Sequence, residues 1–541
     1  MALVSFRFVG VTAALLGCIL LLSVTLSAAA QFNAQCGIVD VLDYPIDGIT
    51  AGYDDFGLYR PRFEGLHTGI DIGFSRWGDP VHATARGRVT YADPEGWEME
   101  KGVVVMQHVF PDGSIAYSVY GHMEQTDDIF FPLVGQCLER GAIVGTIGWP
   151  SRGLPHLHYE IRTVLPDEGG PGYTQTNPLL LGWYHPQDFT QLWRARLDPA
   201  FISYATFDTV ASLPPVALDN GTYAITREQI VEGVTQFGDL LWRVELDSIV
   251  NGIAALPGNR VVAHSRNGQA VVVQEGRYVA LWQVPGPDVP FIVLDETLIF
   301  TTNGGGIAAF DSGGQPLWSV AGALTGTRVD SFAANGSQVA LAMRDGDNVN
   351  WRVVDLAGQV TYETQLARDP SITARHDGSW LLLDGSTLAY VQDGQRQALT
   401  NLDIPATRNK NIAVDAVGNS YLYLGDLENT LYAIGPQGEM RWQIAYPNPP
   451  GTLPPLVKTG SGCLVYTLDA NGMLNVFDTN DGALLHQLQF YAGGDRNGNP
   501  LGRMLIIDSS ERVSVASGFL TTVILDGWKL GNKQPDSCLL G

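Results

Sequence analysis

At 541 residues the chain is too long for one ordinary hydrophobic core, so two or more domains are expected. A hydrophobic fraction of 45% excludes global disorder. A formal net charge of −24 argues against nucleic acid as a partner, and it disfavours tight adhesion to an anionic membrane or to anionic wall polymers.

Residues 1–30 hold a single basic residue, Arg7, followed by an almost uninterrupted apolar run from Phe8 to Ala30. The run ends in Ala28-Ala29-Ala30 before Gln31, the small-x-small form of a signal-peptidase site, and export with cleavage is the expectation. Two other readings stay open. The run is long enough to span a bilayer as a retained anchor, and Leu15-Leu16-Gly17-Cys18 has the form of a lipid-attachment box. The box ranks last, because strongly apolar residues continue after Cys18. No membrane contact beyond that N-terminal anchor is expected. Without the signal, Cys36, Cys137, Cys463 and Cys538 remain, an even number that suggests disulfides in an exported chain. Cys36 with Cys137 and Cys463 with Cys538 is the preferred connectivity, because each pair then stays inside one domain; four free thiols is the alternative.

Residues 37–66 read as loop. From Gly78 the pattern becomes short strands separated by turns: Pro80 to Ala92, Gly102 to His108, Ile115 to Met123 and Ala142 to Gly148, with Pro111-Asp112-Gly113 as a hairpin turn. The result is a small antiparallel β domain, residues 31–198. It carries two histidine-bearing stretches, HTGID with His67 and Asp71, and HLH with His156 and His158. Alternate residues of a strand share a face, so His156 and His158 point the same way. Gly69 makes the path between His67 and Asp71 a bulge or turn rather than a flat strand. Imidazole and carboxylate suit zinc, and a catalytic zinc site needs three protein ligands and one open position. Each histidine taken singly is also readable as an ordinary hydrogen-bonded residue. His82 and His108 are read as structural.

HTGID, the GDPVHATARGRV run, YGHM at Tyr120 to Met123, the GAIVGTIG run and HLHYEIR occur in the order and approximate spacing of the lysostaphin-like zinc metallopeptidases, which cut peptide cross-bridges in bacterial cell walls. The resemblance covers about residues 50 to 190. It implies that His67, Asp71 and His158 bind Zn2+, while His122 and His156 stand near the metal-bound water and the substrate carbonyl. Zinc held by two neutral imidazoles and a carboxylate lowers the pKa of its water to roughly 7 and polarises a carbonyl. Unligated histidines titrate in the range needed to move a proton or stabilise an oxyanion. Which of His122 and His156 is the base stays open. Leu154 stands where this family commonly has glycine, which leaves substrate preference open, and Cys137 takes an apolar strand position.

Residues 164–199 begin as a Gly- and Pro-rich loop and continue into LLLGWYHPQDFTQLW, apolar enough to pack on one domain or bridge two. His185 there is read as surface or core rather than a metal ligand. Beyond residue 200 a strand–turn–strand unit recurs, as in GIAAFDSGGQPLW ending at Trp318 and LYAIGPQGEMRW ending at Trp442. Its turn glycines fall at Gly238, Gly276, Gly314, Gly358, Gly394, Gly438 and Gly482, with Gly527 marking a further repeat. A period of about 40 residues with several short strands per unit is that of a β-propeller. The repeats resemble those of quinoprotein dehydrogenases, which implies a quinone cofactor often beside a vicinal cysteine pair. No such pair occurs here, so residues 199–534 read as a recognition or scaffolding platform, with the tryptophans packing between blades.

The expected architecture is therefore all-β: a small antiparallel metallopeptidase sheet followed by a propeller of seven or eight blades. The expected protein is a secreted or cell-envelope zinc metalloendopeptidase acting on peptidoglycan stem peptides or cross-bridges, its propeller binding a protein or glycan. The alternative is a non-catalytic wall-binding or regulatory protein on a retained peptidase fold.

Overall fold

The structure, a computed structural model, describes residues 35–538 apart from 48–54 and several short stretches of the second half, the longest being 491–502. The signal segment, its cleavage site and the lipid-attachment box lie outside the described residues, as does Gly238. Among the described residues no helix is long and apolar enough to cross a membrane. The chain divides into two compact units, residues 1–197 and 198–541.

The first unit holds strands β1 (Tyr59–Arg60), β2 (Gly65–His67), β3 (Ile70–Ile72), β4 (Pro80–His82), β5 (Gly87–Asp93), β6 (Gly102–Val109), β7 (Ile115–Glu124), β8 (Cys137–Leu138), β9 (Ile143–Ile147), β10 (Leu157–Arg162), β11 (Tyr173–Thr174) and β12 (Trp183–Tyr184). Nine of them form one sheet, ordered β12-β10-β7-β6-β5-β8, with β3 on β10 and with β9 pairing β4 and β7; β1-β2-β11 form a second. The run expected as one strand from Pro80 to Ala92 is two strands, split between His82 and Gly87. The hairpin at Pro111-Asp112-Gly113 forms as expected: the Gly113 N–H donates to Phe110 O at 2.8–3.0 Å separation typical of a tight turn, here 2.9 Å, with Gly113 at φ +83°. Val81, Val89, Val104, Met106, Tyr120, Val144, Leu157 and Tyr159 build one buried core.

An element the periodicity reading did not identify follows. Pro186–Leu197 is a helix, α1. Proline is tolerated in a first helical turn because it lacks only an N–H that has no intrahelical acceptor. Phe189, Trp193 and Leu197, at i, i+4 and i+8, face the core, with Trp193 4.1 Å from Phe110 between ring centroids.

In the second unit every sheet has four strands, and among the described residues there are eight such sheets. Seven are continuous in sequence, spanning 216–245, 250–283, 291–320, 328–366, 371–401, 410–445 and 456–489. The eighth combines Phe201–Thr206 with three strands from 504–526, pairing Phe201 with Leu525. This resolves the blade number to eight. Gly276, Gly314, Gly358, Gly394, Gly438 and Gly482 all sit at positive φ, in the turn between the third and fourth strands of their sheets. Gly527 departs from this rule. It follows the third strand of the eighth sheet but opens a short helix, because the fourth strand there is supplied from residues 201–206.

The tryptophans explain four of these glycines a second time. A Cβ at Gly276 would stand 2.6 Å from Trp242, one at Gly314 2.6 Å from Trp282, one at Gly358 3.1 Å from Trp318, and one at Gly482 2.9 Å from Trp442. In each case the tryptophan belongs to the preceding blade, as the packing reading expected. Aspartates also close turns: in the Gly314 turn Asp311 Oδ1 accepts the N–H of Gly313 and Gln315, and Asp415 and Asp508 repeat the pattern in turns without these glycines. Disulfides join Cys36 to Cys137 and Cys463 to Cys538, with Cα–Cα distances of 5.2 and 5.5 Å, and each closes within one unit.

Candidate metal centre

Register brings the two motifs together. His158 on β10 lies opposite Asp71 on β3 and, on its other side, opposite Gly121 on β7. His67 ends β2 and pairs with Tyr173 on β11. The chain reaches β3 from β2 through Thr68 and Gly69, and a Cβ on Gly69 would stand 2.5 Å from Tyr159 O and 2.9 Å from His158 Nε2. Only glycine lets the backbone pass this close.

Three donor atoms converge. His67 Nε2 is 2.8 Å from His158 Nδ1 and 3.4 Å from Asp71 Oδ1, and His158 Nδ1 is 3.3 Å from Asp71 Oδ1. Ligand atoms about 2.0–2.2 Å from one tetrahedral ion are spaced roughly 3.3–3.6 Å apart. Two of the three separations meet that spacing; the third is shorter, as two imidazoles sharing a hydrogen bond would be. Among the described residues this is the cluster of histidine and acidic groups able to hold a metal ion.

The far side of each imidazole is braced by a carboxylate, and neither brace was identified from sequence. His158 Nε2 lies 2.9 Å from Glu160 Oε1. Glu160 is fully buried and also takes hydrogen bonds from Thr68 and from Trp183 Nε1 (2.9 Å), with Arg162 Nη1 at 3.3 Å. His67 Nδ1 has Asp55 Oδ2 at 3.1 Å, an electrostatic contact rather than a well-directed hydrogen bond. Asp55 in turn holds Arg60 (2.6 Å) and accepts the Asp71 N–H (3.1 Å). A carboxylate behind a ligating histidine fixes its tautomer and raises its basicity. The donor set, its burial and its braces all fit a zinc-type ion. Glu160 was accessible to strand alternation, since 156, 158 and 160 share a face; Asp55 sits in an acidic loop and carries no local signal.

Electrostatics follow from this enclosure. Burial pushes the Asp71 carboxyl upward, but His67 and His158 outweigh it and hold the group well below the usual carboxylate range. Burial likewise raises Glu160, yet His158 and Arg162 bring it down to about 2. For His158, burial works against the charged form, while hydrogen bonds with Asp71 and Glu160 raise its pKa to about 10. A proton on Nδ1 occupies the lone pair that a metal needs, so metal and proton compete for this ring.

His122 and His156 stand beside the three donors. Their ring centroids are 4.6 Å apart, and His122 is 6.1 Å from His158. Each ties Nδ1 to a backbone carbonyl, His122 to Glu100 O and His156 to Leu154 O, both at 2.7 Å, which leaves Nε2 for the cleft. His156 Nε2 is 3.7 Å from Asp71 Oδ1. By strand alternation His122 would turn away from the face that carries Gly121. Its backbone instead adopts φ +57°, a costly conformation for a non-glycine residue that re-aims the ring. Burial, reinforced by His156 and His158, lowers the His122 pKa to about 3, so the ring is neutral at physiological pH and its Nε2 is unprotonated. Trp97 covers this corner, with its ring centroid 5.0 Å from that of His122, where a Cβ on Gly121 would collide at 2.3 Å.

The remaining histidines of the first unit lie elsewhere. His108 is buried between Arg86 O (2.9 Å) and Ser118 Oγ (2.7 Å), and burial lowers its pKa to about 4. His82 contacts Gly141 O at 2.9 Å, and His185 packs on Phe56. Asp71, His122, His156 and His158 line a cleft of about 540 Å³, together with Trp97, Tyr173 and arginines, and His67 is buried behind them.

Comparison with known proteins agrees with this geometry. Residues 65–174 match Peptidase family M23, and residues 183–404 match the family described as Outer membrane protein assembly factor BamB. The chain thus carries an M23 peptidase domain followed by a BamB-like propeller. No curated protein matches the chain. Among solved structures, BamB from Moraxella catarrhalis is similar at 15% identity, over 60% of this chain and 97% of that one, with a TM-score of 0.43. Sqt1 from Saccharomyces cerevisiae shares 12% identity over 60% and 98%, at 0.45. The designed protein Ika8 shares 15% over 60% and 98%, at 0.47.

Proposed function

We propose that the protein is an exported zinc metalloendopeptidase that hydrolyses peptide bonds in peptidoglycan stem peptides or cross-bridges, with its propeller as a binding platform in the cell envelope. The observation that carries the reading is the convergence of His67 Nε2, Asp71 Oδ1 and His158 Nδ1 on the floor of a cleft into which His122 and His156 present Nε2. The match to a peptidase family supports hydrolysis, and the description of BamB as an outer membrane assembly factor supports the envelope.

His67, Asp71 and His158 would hold the ion, with Glu160 and Asp55 keeping the two rings in their ligating tautomers. When bound, zinc supplies Lewis acidity toward a peptide carbonyl and lowers the pKa of water to roughly 7. His122, neutral and with Nδ1–H fixed on a carbonyl, accepts the proton at Nε2. His122 then returns that proton to the leaving amine, while His156, its Nδ1 fixed in the same way, stabilises charge developing on the carbonyl oxygen when its Nε2 also carries a proton. Trp97 limits water on one side of the reacting groups.

The test is incubation of the protein without residues 1–30 with purified cell walls, reading new peptide ends by mass spectrometry. Hydrolysis should stop on chelation, return with zinc, and be absent in His158→Ala. Undiminished hydrolysis in that variant would sink the mechanism. Zinc and wall binding without any new peptide ends would favour the non-catalytic alternative.

A further inference from the structure

The protein is strongly acidic, yet its cleft is not. The charged side chains lining it are Arg60, Arg62 and Arg152 against Asp71 and Glu100. Asp71 is committed to the metal centre, and a divalent ion there would leave the cleft floor more positive still. Glu100 is held through Oε1 by Ser151. Arg60 is committed as well, paired at 2.6 Å with the buried Asp55. Arg62 and Arg152 remain. Elsewhere in this unit Arg76, Arg86, Arg140, Arg194 and Arg196 each hold a carboxylate, and exposed Arg88, outside the cleft, makes no ion pair among the described residues. Arg62 and Arg152 are exposed and make no ion pair among the described residues. In a chain with 56 acidic and 32 basic side chains, arginines left without carboxylates beside a reactive centre call for an external anion.

Both arginines are placed by their surroundings. The Arg62 guanidinium lies 5.0 Å above the Phe63 ring, and Phe63 stacks on Tyr173 at 4.2 Å, itself 5.2 Å from His67. A cation over an aromatic face is held without losing its hydrogen-bond donors. Arg152 sits in the loop before HLH, which is anchored by the Ser151 N–H on Met99 O (3.1 Å) and by the Trp149 indole on Gly153 O (3.2 Å). This is the loop where Leu154 departs from the common glycine.

We propose that Arg62 and Arg152 form a carboxylate-binding subsite in this cleft, so that the preferred ligand is a peptide bearing free carboxylates close to the bond presented to the metal centre. The inference rests on the peptidase reading for the identity of the peptide, but not for the charge preference. Guanidinium binds carboxylate through two parallel N–H···O bonds, a geometry an amide cannot match in charge. Low-dielectric walls concentrate the field of such groups even when the molecule as a whole is negative.

The experiment compares two ligands that differ only in charge. Soluble peptidoglycan fragments are released from walls by a glycan-cutting enzyme, and half are treated to convert carboxylates to primary amides. Binding of each to the zinc-loaded His122→Ala protein is measured by titration calorimetry, with hydrolysis by the unaltered protein followed separately. The expected result is roughly 10-fold or more tighter binding of the untreated fragments. That preference should weaken with salt and vanish in Arg62→Gln/Arg152→Gln, whose exposed positions leave the core untouched. Equal affinity for both ligands, or a preference that survives the double substitution, would overturn the subsite. If binding discriminates by charge while no peptide bond is cut, the peptidase reading fails and the subsite stands.

Discussion

The two units use their interiors differently. In the first, charged and titratable groups are buried around one point: Asp55, His67, His158, Glu160 and Arg162 are all nearly inaccessible and form one connected set. In the second, large side chains recur at the same place in successive blades, and tryptophans lie beneath turn glycines. A buried charge is tolerated only where other groups satisfy it, so the first unit's network stands or falls as a whole. Repeated apolar contacts distribute stability along the ring.

The sharpest way to break the contrast is to remove a member of the network. His158→Ala should lower wall hydrolysis by roughly 10³-fold or more and abolish stoichiometric zinc in metal analysis. His122→Ala should reduce kcat by about 10²–10⁴-fold while zinc content stays at one ion, which separates proton transfer from ligation. In the second unit, Trp442 is buried and donates its indole N–H to Thr479 O at 2.9 Å. Trp442→Ala should cost about 3–5 kcal/mol in denaturant unfolding.

A pH experiment sharpens the contrast from the other side. His108 belongs to the first unit but not to the metal site, and its pKa is lowered from 6.5 to about 4 in the fold. The folded state keeps it neutral while the unfolded chain takes up a proton below 6.5. Its stabilisation is therefore complete above pH 6.5 and is lost as pH falls toward 4, by on the order of 3 kcal/mol. Urea unfolding of His108→Gln should show a correspondingly shallower loss on acidification than the unaltered protein. Glu160→Gln keeps the brace's shape but removes the charge facing His158 and Arg162: zinc affinity should fall about 10–100-fold, measured by competition with a chelator.

The difference between the units also explains what was legible beforehand. Repetition announces itself, so the turn glycines and the tryptophans marked the blades before any coordinates. At Gly527 the rhythm held while the structure changed, because the partner strand comes from 320 residues earlier in the chain and leaves no local trace. Strand alternation placed His156 and His158 on one face and extends to Glu160. Alternation would misplace His122, whose positive φ reverses the direction it assigns; there the resemblance, not the pattern, placed the ring. Asp55 was invisible because it reaches His67 through space, from a loop that reads only as acidic. Helix α1 was hidden by its proline start and by a period of four that a short apolar stretch hardly shows.

The eighth blade carries a consequence for how the chain comes to be folded. Phe201 pairs with Leu525, so the first strand of the ring waits for a partner from nearly the last. A chain emerging from a ribosome, or threading through an export channel, can form seven blades from contiguous sequence but cannot close the eighth until residue 526 has arrived. Closure is thus a report that the whole ring has been delivered. A copy truncated within residues 504–526 would leave the 201–206 edge with its backbone groups unpaired, a strand open to any passing neighbour.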